Sequence, residues 1–439
     1  MDVLSSIACV STLSCMYNET MASLVSKHVP VKTVKLSARR RVPWFSQELN
    51  QAIRRRRQLE RMWRRTQCAT DRAAFVRQRN IVKNMVTSHK RKFYKDLIDA
   101  HSSQRELWRV LQPLVKGKKP PCLPSSGSDV ECASAFATFF AEKIQNIQDS
   151  FSPSCAPSDS DDRVPAGVPA LDFFDPVTMD ETTKIISEAK LKTCALLDPI
   201  PTWLLKTCIR LIAPIFCAIA NLSLTTGVFP QCEKRALINP VIKKTSLNKD
   251  DLSNYRPISN ISFLSKLIER VVSKRIDCFL FRYNLMSPYQ SAYRPCHSTE
   301  TVLLRLCNDI SVARGKRLLT CAVMLDLSAA FDTVNHLYLL NRLSKSYNFS
   351  GVVLKWFSSY LENREQIVCV NTYQSRPYPL LYGVPQGSVL GPRLYSLYVT
   401  PVSKIIESYN LAHNVYADDT CLYFSFSPAD MSAAMEVVT

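Results

Sequence analysis

The chain has 439 residues, enough for two or three domains and a sizeable core, and 46% of them are hydrophobic, an ordinary share for a globular protein. Its formal charge of +19 is not ordinary: residues 32–119 hold 25 Lys/Arg against six Asp/Glu, while the rest of the chain holds 31 of each sign. The whole excess therefore lies in one segment, which points to a polyanion, most simply nucleic acid.

The 16 cysteines are scattered, with no C-x-x-C pair and no Cys/His cluster at zinc-ligand spacing. That pattern argues against a zinc site or a disulfide framework and for a reduced, intracellular protein. Residues 1–15 are mildly apolar but carry no basic leader, so a signal peptide is not expected.

In chain order, residues 1–45 read as an irregular lead-in that closes on Arg39-Arg40-Arg41-Val42-Pro43-Trp44-Phe45. From Ser46 to about Leu114 the pattern is helical and basic, with Arg54, Arg55, Arg56, Arg57, Arg64, Arg65, Lys90, Arg91 and Lys92 as its densest charges. Trp63, Phe75, Phe93, Tyr94 and Trp108 are interleaved with them, a combination that suits a phosphate backbone and stacked bases. The competing reading is a solvated, charged helical pair with a small apolar seam; the charge imbalance favours nucleic-acid binding. Residues 117–131 and 150–170 have the Pro, Ser, Gly and Asp content of linkers. Between them, Cys132 to Ile147 carries Phe136, Phe139, Phe140 and Ile144 at helical spacing. A compact mixed domain begins at about Leu171. The expected division is a basic helical segment over 1–119, a linker with one short helix over 120–170, and a mixed domain over 171–439. The most apolar stretch, Trp203 to Leu224, is interrupted by Lys206, Arg210 and Pro214 and reads as a core-facing helix rather than a membrane span.

Three segments of the mixed domain carry chemistry. Thr320 to Leu325 is a β-prone run ending in Asp326, followed by Leu327-Ser328-Ala329-Ala330-Phe331-Asp332. Gly383-Val384-Pro385-Gln386-Gly387-Ser388-Val389-Leu390-Gly391-Pro392 holds three of the nine glycines, permits close backbone approach, and opens a helix expected over Leu394 to Ile406. Tyr416-Ala417-Asp418-Asp419 lies between strand-like runs Leu411 to Val415 and Cys421 to Phe426. Adjacent carboxylates repel and are poor strand formers, so a hairpin tip is where they fit, and a divalent cation relieves the repulsion. Alone, the pair reads as a solvated Asx turn. With Asp326 supplied by a neighbouring strand, the three carboxylates suit two metal ions about 3.5–4 Å apart. Asp332 reads as the cap of a helix starting near Val334.

In this order and spacing the segments resemble the reverse transcriptase domain of non-LTR (LINE-type) retrotransposons, the Asp326, Pro385-Gln386-Gly387 and Tyr416 to Asp419 segments being similar to its three palm motifs. Upstream, Asp198 to Thr202, Asn254-Tyr255-Arg256-Pro257-Ile258-Ser259 with Leu264 to Arg275, and Gln290 to Glu300 are similar to its fingers segments, so the likeness covers residues 170–439. The basic segment is similar to the connector that precedes the polymerase in these elements. The resemblance implies an α+β fingers-and-palm fold, its palm an antiparallel sheet backed by helices, preceded by a mostly α-helical basic extension. It implies an RNA-directed DNA polymerase using an RNA template, a DNA primer, dNTPs and two Mg²⁺ ions (or Mn²⁺). It makes Asp326 and Asp418 the principal metal ligands and Asp419 a secondary one. Phe331 becomes an aromatic gate under the incoming sugar, although by position alone it reads as a core residue. Gln386 and Gly387 would line the nucleotide pocket, and Arg256 with Lys243 or Lys244 would hold the triphosphate. For Arg294, template contact and support of the fingers both stay open; His297 reads as structural.

Measured against that family, the sequence stops 20 residues after Asp419. The expectation is a fragment without the family's thumb and endonuclease domain, able to form the nucleotide site but impaired in processive synthesis. Arg393 and Cys421 stand where the family usually has an apolar and a polar residue. The alternative from another class is a non-catalytic nucleic-acid-binding chain working through its basic helices. Group II intron and telomerase-type reverse transcriptases share the carboxylate logic but fit the Arg256 and His297 segments less well. A viral RNA polymerase would more often have Gly-Asp-Asp at the hairpin. No membrane role is expected, and the location expected is the nucleus, the cytoplasm or both.

Overall fold

The computed structural model describes residues 9–30, 43–100, 107–108, 111, 123–124, 127–150, 164–191, 196–327 and 329–432. The Arg39–Arg41 run and the end of the helix expected over Ala429 to Val438 lie outside them. The chain divides into two compact units, residues 31–122 and residues 1–30 with 123–439. The first helix, α1 (Val10–His28), thus belongs with the larger unit, although the sequence reading groups it with the basic segment.

The smaller unit is a helical hairpin of α2 (Gln47–Thr66) and α3 (Ala69–Asp99). Ser46 caps α2 by accepting the Leu49 N–H at 3.1 Å, and Gln67, at φ 52°, reverses the chain between the helices. Leu49 and Val82 are buried in the seam, and the Trp63 and Phe75 rings stack at 5.5 Å.

The larger unit opens after the linker with α4 (Asp129–Asp149), started by a capping box between Ser128 and Glu131. The helices α5 (Met179–Glu188), α6 (Thr202–Thr207) and α7 (Ile209–Thr226) follow. By length and composition α7 could cross a membrane, yet Ile212, Phe216, Ile219 and Leu224 are buried in the core. Then come β1 (Arg235–Ile242), β2 (Tyr255–Asn260), α8 (Phe263–Arg282), α9 (Thr299–Gly315) and β3 (Leu319–Leu325). The chain continues through α10 (His336–Tyr347), α11 (Gly351–Leu361), β4 (Glu365–Val370), β5 (Tyr373–Gln374) and β6 (Tyr378–Pro379). It ends with α12 (Gly391–Ser408), β7 (Ala412–Tyr416) and β8 (Asp419–Phe426). Asp332 caps no helix: α10 starts two residues later than expected and is capped by Asn335, which accepts the Tyr338 N–H at 3.1 Å.

Two sheets organise this unit. One runs β2-β1-β4-β5 with β6 also on β4; β1 pairs antiparallel with β2 and parallel with β4. Phe136 and Phe140 of α4 cover it, packing with Ile238, Tyr255 and Val368. The other is a three-stranded antiparallel sheet, β3-β8-β7, with α9 packed on it through Leu306 against Cys421 and Tyr423. The main core lies between α7, α8, α10, α11 and α12, and is centred on Trp356, whose ring stacks on Tyr360 at 5.4 Å and whose Nε1 donates to Ser223 Oγ at 3.0 Å. Helix α1 joins this core through Tyr17 against Phe216, 5.0 Å between centroids. It is held also by buried Glu233, which accepts from Ser14 and Asn18 at 2.9 Å and from Ser262.

Trp356→Ala is expected to cost about 3–5 kcal/mol, measurable by urea unfolding, because it opens a cavity and removes the hydrogen bond that the Ser223 hydroxyl accepts. A second expectation concerns acid. Hydrogen bonds from Arg275 at 2.8 and 2.9 Å hold the Glu181 carboxyl down at about 2. A depressed carboxyl contributes stability that is complete above the ordinary carboxylate range and is lost as pH falls toward 2. Arg275→Ala should remove that part of the acid-unfolding curve followed by circular dichroism.

Candidate active site

Strand register brings the three aspartates to one end of the β3-β8-β7 sheet. Leu325 at the end of β3 pairs with Thr420 of β8, so Asp326, the next residue, continues toward Asp419. The β7–β8 hairpin closes on Tyr416 paired with Asp419, leaving Ala417 and Asp418 as its two-residue loop. Ala417 is left-handed, at φ 58°, a conformation that costs an L-residue about 1–2 kcal/mol. Asp418 is half-buried, and Asp326 and Asp419 are exposed. Among the described residues none of the three carboxylates has a hydrogen-bond or ion-pair partner, and no three His, Cys, Asp or Glu side chains gather closely enough to hold an ion. By donor type the three are hard carboxylate oxygens on adjacent strand ends, the chemistry Mg²⁺ takes, and one of them is half-buried. Asp418 also raises the phenols of Tyr293 and Tyr395, whose first cause of elevation is burial.

Beside the hairpin runs the glycine loop, residues 383–391. Its backbone is tied at both ends: Gly383 and Val384 donate to the Val334 and Phe331 carbonyls at 2.7 and 2.8 Å, and the Gln386 carbonyl accepts the Ser259 N–H of β2 at 2.8 Å. Gly387 has φ +125°, and a Cβ there would stand 2.4 Å from the Ser259 carbonyl oxygen; one on Gly383 would stand 2.7 Å from the Asp332 backbone. Only glycine allows this approach. The loop then enters α12, whose start is capped by Glu269 of α8: the fully buried carboxylate accepts from Val389 and Leu390 N–H at 2.6 and 3.1 Å. Burial pushes that carboxyl up, against the Arg364 charge and these hydrogen bonds.

Phe331 lies between the two elements. Its ring packs on Tyr395 of α12 at 4.8 Å, partly buried against the core. Burial pushes the neighbouring Asp332 carboxyl up to about 6, with Lys143 of α4 opposing. The same turn receives a hydrogen bond from Gln148 of α4 to the Thr333 carbonyl at 3.0 Å.

The cations assigned to phosphate sit on one strand pair. Arg256 of β2 is opposite Val241 of β1, and Lys243, two residues on and held by its N–H to Asn254 at 2.8 Å, shares that face; Lys244 follows beyond the end of β1. All three are exposed. Arg294 donates to the Ser287 and Gln290 carbonyls at 3.0 and 3.5 Å. His297 only folds back on the Pro295 carbonyl.

In the smaller unit, Arg54, Arg55, Arg57, Arg64, Arg65, Lys90, Arg91 and Lys92 are exposed and Arg56 is half-buried. Arg64 pairs with Glu60 and Lys90 lies over Trp44. Four of the interleaved aromatics pack on one another, Trp63 stacking on Phe75 and Phe93 meeting Tyr94 edge-on at 5.3 Å, while Trp108 is exposed. The apolar seam and the cationic face thus occur together.

Sequence reasoning gave no role to Glu269, Tyr395 or Ser259. Glu269 had a visible signal, an acid inside the apolar pattern Leu267, Ile268, Val271, Val272 of a helix. Gly387→Ala is expected to displace the loop from Ser259 and abolish nucleotide binding while leaving cooperative melting in place, checked by nucleotide titration beside calorimetry. Ala417→Val should destabilise the hairpin by about 1–2 kcal/mol, and Ala417→Gly should not.

Residues 242–439 match the family model described as reverse transcriptase (RNA-dependent DNA polymerase). The chain is 27% identical over 403 residues, 87% of its length, to the probable RNA-directed DNA polymerase from transposon BS of Drosophila melanogaster, covering 43% of that protein. It is 33% identical over 256 residues, 56% of its length, to the RNA-directed DNA polymerase from mobile element jockey of the same species, covering 27% of it. It is 24% identical over 398 residues, 88% of its length, to the probable polymerase of the X-element, covering 43%. The chain spans less than half the length of these relatives. The carboxylate sheet and the glycine loop thus lie within the residues that resemble a reverse transcriptase (RNA-dependent DNA polymerase) domain.

Proposed function

We propose that the larger unit performs RNA-directed DNA synthesis, adding dNTPs to a primer 3′-hydroxyl. The observation that carries this reading is the strand register that puts Asp326, Asp418 and Asp419 at one end of a single sheet, in the same unit as a glycine loop closed against β2. Asp326 and Asp418, with Asp419 in support, would hold two Mg²⁺ ions (or Mn²⁺), which when bound activate the primer hydroxyl and stabilise departing pyrophosphate. The protein's own part is positioning. Phe331, braced by Tyr395, presents bulk against a 2′-hydroxyl; Gln386 and Gly387 line the nucleotide pocket; Arg256 with Lys243 or Lys244 meets the triphosphate, where a fork of donors suits phosphate oxygens. The exposed cations of the smaller unit would bind the nucleic-acid backbone. Action in the nucleus, the cytoplasm or both belongs to the same proposal.

Single-nucleotide incorporation of dTTP on poly(rA)/oligo(dT) tests it. The parent chain should extend the primer by one nucleotide in Mg²⁺, Asp418→Ala should not, and Arg256→Ala should raise the KM for dTTP by about 10-fold or more. No incorporation by the parent would sink the reading. A second reading, a non-catalytic nucleic-acid-binding chain, is favoured by the separate compactness of the basic hairpin. It predicts parent-like RNA affinity in the Asp326/Asp418 double alanine variant with no synthesis by the parent. Under either reading, replacing Arg54, Arg55 and Arg57 by Ala should weaken RNA binding and flatten its salt dependence.

A further inference from the structure

The left-handed Ala417 is not left to hold itself. Gln290, only 4% exposed, grips both backbone polar groups of that one residue: its Oε1 accepts the Ala417 N–H at 3.0 Å and its Nε2 donates to the Ala417 carbonyl at 3.3 Å. The same Oε1 accepts the Ala292 N–H at 3.0 Å, which fixes the amide's orientation. Around it the backbone pairs as a short parallel ladder: Ser291 donates to the Val415 carbonyl at 2.9 Å and Val415 to the Tyr289 carbonyl at 3.0 Å. Arg294 braces this segment from behind through the Ser287 and Gln290 carbonyls. The two Gln290–Ala417 bonds fall on a two-residue loop whose second member is Asp418.

We infer that Gln290 is a positioning residue that locks the Ala417 turn and thereby aims the Asp418 carboxylate. The physical argument is one of strain and satisfaction. A two-residue loop with an L-residue at φ 58° relaxes unless its surroundings over-determine it. The Ala417 N–H and carbonyl point off the ladder into a buried site, where unpaired they would carry a desolvation cost. Only a side chain offering donor and acceptor side by side satisfies both, and a carboxamide does so while a carboxylate does not. Without it the loop gains alternative conformations, and Asp418, next along the chain, loses a fixed direction. The inference rests on the carboxylate assignment of the proposed function, and the experiment separates the two.

The full chain and its Gln290→Met, Gln290→Glu and Asp418→Asn variants are compared by amide hydrogen exchange over residues 411–426 and by Mn²⁺ titration followed by electron paramagnetic resonance. Gln290→Met should speed exchange at the hairpin tip about tenfold or more and weaken Mn²⁺ binding by a similar factor, with unchanged protection in α8 and α11. Gln290→Glu keeps the accepted bonds but cannot donate to the carbonyl when ionised, and should fall between. It also serves if the Met variant fails to fold. Parent-like exchange and Mn²⁺ affinity in the Gln290 variants, beside loss of Mn²⁺ in Asp418→Asn, would overturn the role of Gln290 alone. Parent-like Mn²⁺ affinity in Asp418→Asn would overturn the carboxylate assignment and the metal consequence drawn from it, whatever the exchange shows.

Discussion

The buried carboxylate of Glu269 sets the constraint from which the site follows. A helix start in a core leaves N–H groups that need an acceptor, and Glu269 supplies one to Val389 and Leu390 at the cost of its own desolvation. With that end fixed, residues 383–388 have little room: Gly387 rides against Ser259, Gly383 against Asp332, and Val384 is bonded to Phe331. One helix start therefore ties β2, the turn after β3 and α12 into a single frame. Tyr395 projects from that helix to meet Phe331, and the field of Asp418 reaches its phenol.

The two sheets contribute different chemistry. The β1–β2 pair carries exposed cations at its end, and the β3–β8–β7 sheet carries carboxylates at its own. Backbone pairing fixes where along its sheet each set is anchored. That division suits a substrate with a polyanionic tail and a reacting centre that needs cations held by acids.

Much of this was legible in advance. The two runs flanking Asp418-Asp419, the strand before Asp326 and the helix after the glycine loop all declare themselves through β-branched or helical periodicity, and each forms within a few residues of its expected place. What the sequence hid were side chains whose meaning depends on a distant partner. Gln290 is an unremarked amide until Ala417 arrives 127 residues later. Trp63 and Phe75 read as stacking residues beside arginines, but two helices of a hairpin bring them onto each other. Asp332 reads as a cap because acids favour that position, yet Asn335 lies nearer the helix start and takes it. Helix α1 carries little charge or motif, so nothing local announces that it packs on Phe216.

Helix α7 has a consequence for how the chain is made. It is as apolar as a membrane span, and its native cover includes Trp356, bonded to Ser223 across 133 residues. At translation rates of about 5–20 residues per second, α7 leaves the ribosome on the order of ten seconds before that cover exists. During that interval an 18-residue greasy segment is available to chaperones, to membranes and to other nascent copies. Yield in a cell would then be governed by what meets α7 first, whatever the stability of the finished fold.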